Sequence, residues 1–169
     1  MLGWLHLWKK NQALSIEFAR KAVLIDPENS EALSFLSMIL TSNGYCKEGL
    51  IFANRVHELN LYPTHVNKFS LGFALFGLAR YQEAKEMFEI GCNMNETFLP
   101  NYVYRALSKV AIGEMDKIEP IREKILCVLG GNINKLSISY FVDENLKAID
   151  LNLREEAGLS LVCNRWRNQ

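Results

Sequence analysis

The chain has no surplus of either charge: 19 Lys and Arg residues are matched by 19 Asp and Glu across 169 residues. That balance argues against a general electrostatic footprint for nucleic acid, and no direct nucleic-acid binding is expected of this segment. It has no apolar run approaching the roughly 18 residues of a membrane span, so no membrane partner is expected either. The opening stretch MLGWLHLWKK carries its Lys pair after the apolar residues. A secretory leader places charge ahead of the apolar stretch and a small-residue cleavage site behind it, so the leader reading is rejected. Cysteine is sparse and unpaired in pattern. Cys46, Cys92, Cys127 and Cys163 lie 46, 35 and 36 residues apart, with no CxxC or metal-ligand spacing. Free thiols in a reducing cytoplasm are the expectation. The three histidines, His6, His57 and His65, have no Cys, Asp or Glu at ligand spacing on one helix face. His57 and Glu58 are adjacent and point apart on a helix. There is no glycine-rich phosphate loop, no HExxH and no GxSxG. No metal, no cofactor and no catalysis are expected. Arg154, Arg165 and Arg167 near the end are interleaved with acids and read as a solvated face.

What is present is a repeat. SIEFARKAVLIDP (Ser15–Pro27), GLIFANRVHELNLYP (Gly49–Pro63) and AKEMFEIGCNMNE (Ala84–Glu96) occupy equivalent slots about 34 residues apart. Each reads as the return helix of a helical hairpin. The second unit starts at about Ser30, after Pro27 and the polar ENSE, with Leu33, Leu36, Ile39 and Leu40 at helical spacing. SNGY (Ser42–Tyr45) makes its turn, with Gly44 as the left-handed residue. Gly49 and Ala53 are the small residues that let the return helix approach closely, and Val56 and Leu59 continue its apolar face.

The third unit carries Leu71–Gly72 on its first helix, RYQEA (Arg80–Ala84) at the turn, and Phe88 one turn on. This is similar to the LG…Y…A…F signature of tetratricopeptide repeats, whose period near 34 residues it shares. The resemblance implies an all-α fold, a right-handed superhelical stack of antiparallel helix pairs. Units are expected at about 1–29, 30–63, 64–97 and 98–129, with a capping segment over 130–169. The fourth unit is looser. Ala106 holds the small slot, but Arg105 and Lys109 stand where apolar residues are usual, and Pro120 lies near the start of the second helix. The first unit has only about ten residues ahead of its return helix. Either the chain starts inside the unit or LGWLHLW caps the array as a short helix.

Beyond the turn Gly130–Asn132, the segment ISYFVDENLKAIDLNLREEAGL reads as an extended piece and then a helix. Asp143 is its N-cap, Leu146, Ile149 and Leu153 its stripe, and Gly158 its end. Repeats followed by this tail resemble the C-terminal region of bacterial multidomain nucleotide cyclases and winged-helix transcriptional activators. In those proteins the array ends in a Leu-Arg-x-x-Ala-Gly-Leu-like run, here Leu153 to Leu159. The resemblance implies the sensory or regulatory part of a cytoplasmic regulator whose output domain lies elsewhere.

In this family the first helices line a concave face that binds a protein or peptide. Here that face should present Glu31, Ser34, Met38 and Thr41 in the second unit, and Val66, Phe69, Phe73 and Phe76 in the third. Two readings of the three phenylalanines stay open: an apolar groove for a partner segment, or core packed beneath the fourth unit or the tail. The Lys and Asn pattern that clamps a peptide carboxylate in relatives is missing, since Ser34, Met38, Phe69 and Phe73 stand there instead. Two alternatives to peptide binding remain. One is self-association into a homodimer through Trp4, Leu5, Leu7 and Trp8 at an open end. The other is a small-molecule pocket lined by Phe69, Phe73 and Phe76.

Overall fold

The computed structural model describes residues 11–59 and 62–114, together with 120, 121, 123 and 124. Six helices follow one another, and no strand occurs among the described residues. They are α1 (Gln12–Ile25), α2 (Ser30–Ser42), α3 (Cys46–Leu59), α4 (His65–Gly77), α5 (Tyr81–Met94) and α6 (Leu99–Ala111). Helix α2 pairs with α3, and α4 with α5. The pairs stack through α2 on α4 and α3 on α4, with α1 against α2 and α6 against α5. This is an all-α tetratricopeptide-type solenoid.

Local chemistry starts the helices. Asn11 and Asn29 cap α1 and α2 by accepting from the backbone N–H of Leu14 (3.2 Å) and Ala32 (2.9 Å). Thr64 and Asn67 form a reciprocal capping box at α4: Asn67 N–H donates to Thr64 Oγ1 (3.3 Å) and Thr64 N–H to Asn67 Oδ1 (2.7 Å). Helix α6 opens without a side-chain cap; its Pro sits in the first turn, where the missing N–H costs no helical bond.

The first helices of the pairs, α2, α4 and α6, all end the same way. The N–H groups of Tyr45, Arg80 and Glu114 reach back to the carbonyls of Leu40, Leu75 and Lys109 at 2.9, 3.0 and 2.8 Å. Such a six-residue closure requires one residue in the left-handed region. Gly44 (φ 85°) and Gly113 (φ 82°) supply it in two turns, as read from the sequence for Gly44; Ala79 (φ 59°) supplies it in the third. A Cβ in that region clashes with the neighbouring carbonyl. Ala79→Gly is therefore expected to stabilise the fold by about 1 kcal/mol, read as a higher melting temperature by circular dichroism.

The crossings inside the pairs rest on small residues. A Cβ at Gly49 would meet Thr41 Oγ1 and the Ser37 carbonyl, the latter at 2.9 Å, and one at Gly72 would stand 2.8 Å from the Phe88 ring. The interior divides in two. Ala19, Leu36, Ile39 and Leu40 pack with Ile16, Val23 and Phe52 where α1, α2 and α3 meet. A larger cluster runs from Met38 through Phe69, Phe73, Phe76 and Phe88 to Tyr104, Leu107 and Ile121.

Candidate interaction site

The eight residues expected on the concave face do not share one environment. Glu31 is exposed and Val66 half-buried, while Ser34, Met38, Thr41, Phe69, Phe73 and Phe76 are buried. Ser34 belongs to a polar seam between α2 and α4: its Oγ accepts from Asn67 Nδ2 at 2.8 Å and from Ser70 Oγ at 3.4 Å. Thr41 faces the small residues of the neighbouring helices. Its Oγ1 stands over Gly49 and its Cγ2 near Gly77, and the hydroxyl donates to the Ser37 carbonyl at 2.8 Å. Met38 joins the larger core cluster.

The phenylalanines have a common occupant. Tyr104 of α6 enters among them, with ring centroids 5.6 Å from Phe69, 5.0 Å from Phe73 and 5.5 Å from Phe76, each near edge-to-face. Phe88 lies 5.6 Å away on α5. Edge-to-face rings set positive edges against negative faces, adding attraction to the burial itself. Of the two readings left open, packing beneath the fourth unit describes this arrangement, and the volume a small molecule would need holds Tyr104. The sequence signal was available: Tyr104 precedes the small slot at Ala106 by two residues, on the looser fourth unit.

The two basic residues that broke the apolar pattern are paired. Arg105 bonds Glu89 at 2.6 Å, and Lys109 bonds Glu114 at 3.1 Å. Burial pushes the Cys92 thiol up to about 11, against a smaller opposing pull from Arg105, and also raises Cys46. Both thiols are thus protonated at neutral pH and are not poised as nucleophiles. Burial, aided by Lys68, lowers the His57 pKa. Among the described residues no group of three or more His, Cys, Asp or Glu could hold a metal ion, and no helix is long and apolar enough to cross a membrane.

Exposed apolar side chains stand elsewhere, on the return helices. Ile25 ends α1, Leu59 ends α3 and Met94 ends α5, with 86%, 40% and 48% of their surface exposed. They are 34 and 35 residues apart, so they hold one place in successive repeats. Leu24, Ile51 and Ile90 add to the exposed apolar surface of the same helices. The sequence reading places Leu59 with Val56 on the apolar face of its helix and does not single out this row. The period that reveals it was present. Trp4, Leu5, Leu7 and Trp8 of the expected self-association site, and the tail from Asp143 to Leu159, lie outside the described residues.

No protein-family model matches the chain, and no curated protein matches it. Solved structures do. A crystal structure of MamA shares 21% identity over 99% of this chain and 94% of its own, with a TM-score of 0.64. TTC0263, a thermophilic TPR protein of Thermus thermophilus, shares 19% over 95% of this chain and 96% of its own, at 0.69. At such identities the likeness establishes the fold.

Proposed function

We propose that the chain is a non-catalytic protein-interaction scaffold, and that a protein partner seats an apolar surface on the row Ile25, Leu59 and Met94. The observation that carries this reading is the recurrence of exposed apolar residues at one repeat position. Scattered exposed apolar residues need no explanation, whereas a periodic row along a solenoid offers a continuous contact strip. Glu31 and Val66 are the concave-face candidates left accessible to a partner's polar rim. With the resemblance of the tail, the role is that of a regulatory module in a bacterial cytoplasmic signalling or transcription regulator.

The test is affinity capture from the native lysate with wild type and with Ile25→Glu/Leu59→Glu/Met94→Glu. Because these side chains are exposed, the triple variant is expected to keep its helical circular dichroism and to lose the captured protein. Capture of the same protein by both would overturn the row as the binding surface. A second reading, self-association, is favoured by Leu24 and Ile25, which stand exposed on the outermost described helix. It requires Trp4→Glu/Trp8→Glu to lower the mass seen in light scattering to that of one chain; an unchanged mass would sink it.

A further inference from the structure

Most ion pairs of this protein join one base to one acid, but the fourth unit departs from that pattern. Glu114, just after the α6 turn, bridges two ammonium groups. Lys85 Nζ of α5 donates to its Oε1 at 2.9 Å, and Lys109 Nζ of α6 to its Oε2 at 3.1 Å. The Lys85 and Lys109 side chains are only 11% and 9% exposed, whereas the Glu114 side chain keeps 28% of its surface in solvent. Among the described residues neither ammonium meets a second carboxylate. Counting the described residues, the cluster holds one positive charge in excess. Each ammonium has three N–H donors and places one on Glu114. Two ammonium groups that share a single carboxylate leave a positive charge that a further anion would balance.

We propose that Lys85 and Lys109 form a binding site for one small oxyanion of the phosphate class, taken up beside Glu114. A monoanion cancels the excess charge. Two ammonium groups suit it as compact point charges that rotate their donors onto oxygens, without the fixed fork of a guanidinium. Glu114 is the most exposed member of the cluster. Since the lysines belong to different helices, an anion held by both ties α5 to α6. Occupancy would stabilise the fourth unit against the third, independently of the apolar row above.

The experiment is thermal unfolding of the full chain in chloride and in inorganic phosphate, at equal pH and ionic strength. Phosphate is expected to raise the melting temperature by about 3 °C or more. Phosphate also stabilises proteins by exclusion from their surface; Lys85→Met and Lys109→Met are expected to retain only that part. Glu114→Gln leaves both ammonium groups facing a neutral amide and is expected to enlarge the shift. An equal shift in wild type and Lys109→Met would overturn the proposal, as would a Glu114→Gln shift no larger than wild type. Should the methionine variants fail to fold, titration calorimetry decides. A saturable single-site heat, at least tenfold tighter in Glu114→Gln, supports the site, and its absence in both proteins refutes it.

Discussion

Phe69→Ala is expected to cost about 3–5 kcal/mol of folding stability, the range for truncating a buried aromatic. Phe69 touches four other rings, with centroids 5.6 Å from Phe73, 5.7 Å from Phe88, 5.6 Å from Phe98 and 5.6 Å from Tyr104. These partners come from α4, α5, α6 and the loop that enters α6. A cavity at that point cannot close by one side chain turning, because the surrounding rings hold one another in place. A groove-lining phenylalanine would behave differently: its truncation would leave urea unfolding unchanged and weaken only ligand capture. Urea denaturation of the variant separates the cases. A loss below about 1 kcal/mol would return Phe69 to the surface and reopen the concave face as a binding site. Phe73→Glu follows from the same packing, placing a carboxylate against Phe69 and Tyr104 and unfolding the third unit.

Acid exposes a different part of the molecule. Hydrogen bonds from Lys85 and then Lys109 hold the Glu114 carboxyl down to about 2, from an ordinary value of 4.5. Its folded-state pKa is depressed, so its contribution is complete above about 4.5 and is lost as pH falls from there through about 2. Protonation would leave both ammonium groups without a charged partner. Melting temperature against pH is therefore expected to drop across that window in wild type, and to vary less there in Glu114→Gln.

Helical spacing, small residues and turn chemistry made the hairpins legible before any coordinates. Ser30 does begin α2, Gly44 does take the left-handed turn position, and the 34-residue slots do hold helices. Such features are local, each decided by a few neighbouring residues. The fate of a helix face is not local. Phe69, Phe73 and Phe76 share one side of α4 whether that side meets solvent or Tyr104, and only the arrival of α6 decides between them. Ser34 and Thr41 are buried for a related reason. A short hydroxyl side chain reads as surface in sequence, yet here it fits a close crossing where it bonds Asn67 or the Ser37 carbonyl. Ala79 also escaped notice, since nothing in Leu-Ala-Arg announces a left-handed residue; the turn is imposed by the two helices it joins.

Two asparagines at equivalent places in adjacent repeats, Asn67 and Asn101, are expected to respond to leucine with opposite signs. Both are buried. Asn67 is fully engaged: its Oδ1 accepts from the Thr64 backbone N–H at 2.7 Å, and its Nδ2 donates to Ser34 Oγ at 2.8 Å. Leucine there deletes half of a capping box and leaves Ser34 Oγ only its longer contact to Ser70 Oγ, at 3.4 Å, at a cost of about 2–3 kcal/mol. Asn101 lies 34 residues on, but Phe98 stands where Thr64 capped the preceding unit, so the reciprocal partner is missing. Its amide is pressed against Gly91 of α5, and among the described residues neither Oδ1 nor Nδ2 has a hydrogen-bond partner. Burying such an amide unpaired costs about 1–3 kcal/mol. Leucine has the same heavy-atom branching and carries no polar atoms, so Asn101→Leu is expected to raise stability by about 1–2 kcal/mol. Urea unfolding of the two single variants checks both signs. Loss at both positions would mean that the Asn101 amide has a partner in solution, and that the polar seam of the third unit continues into the fourth.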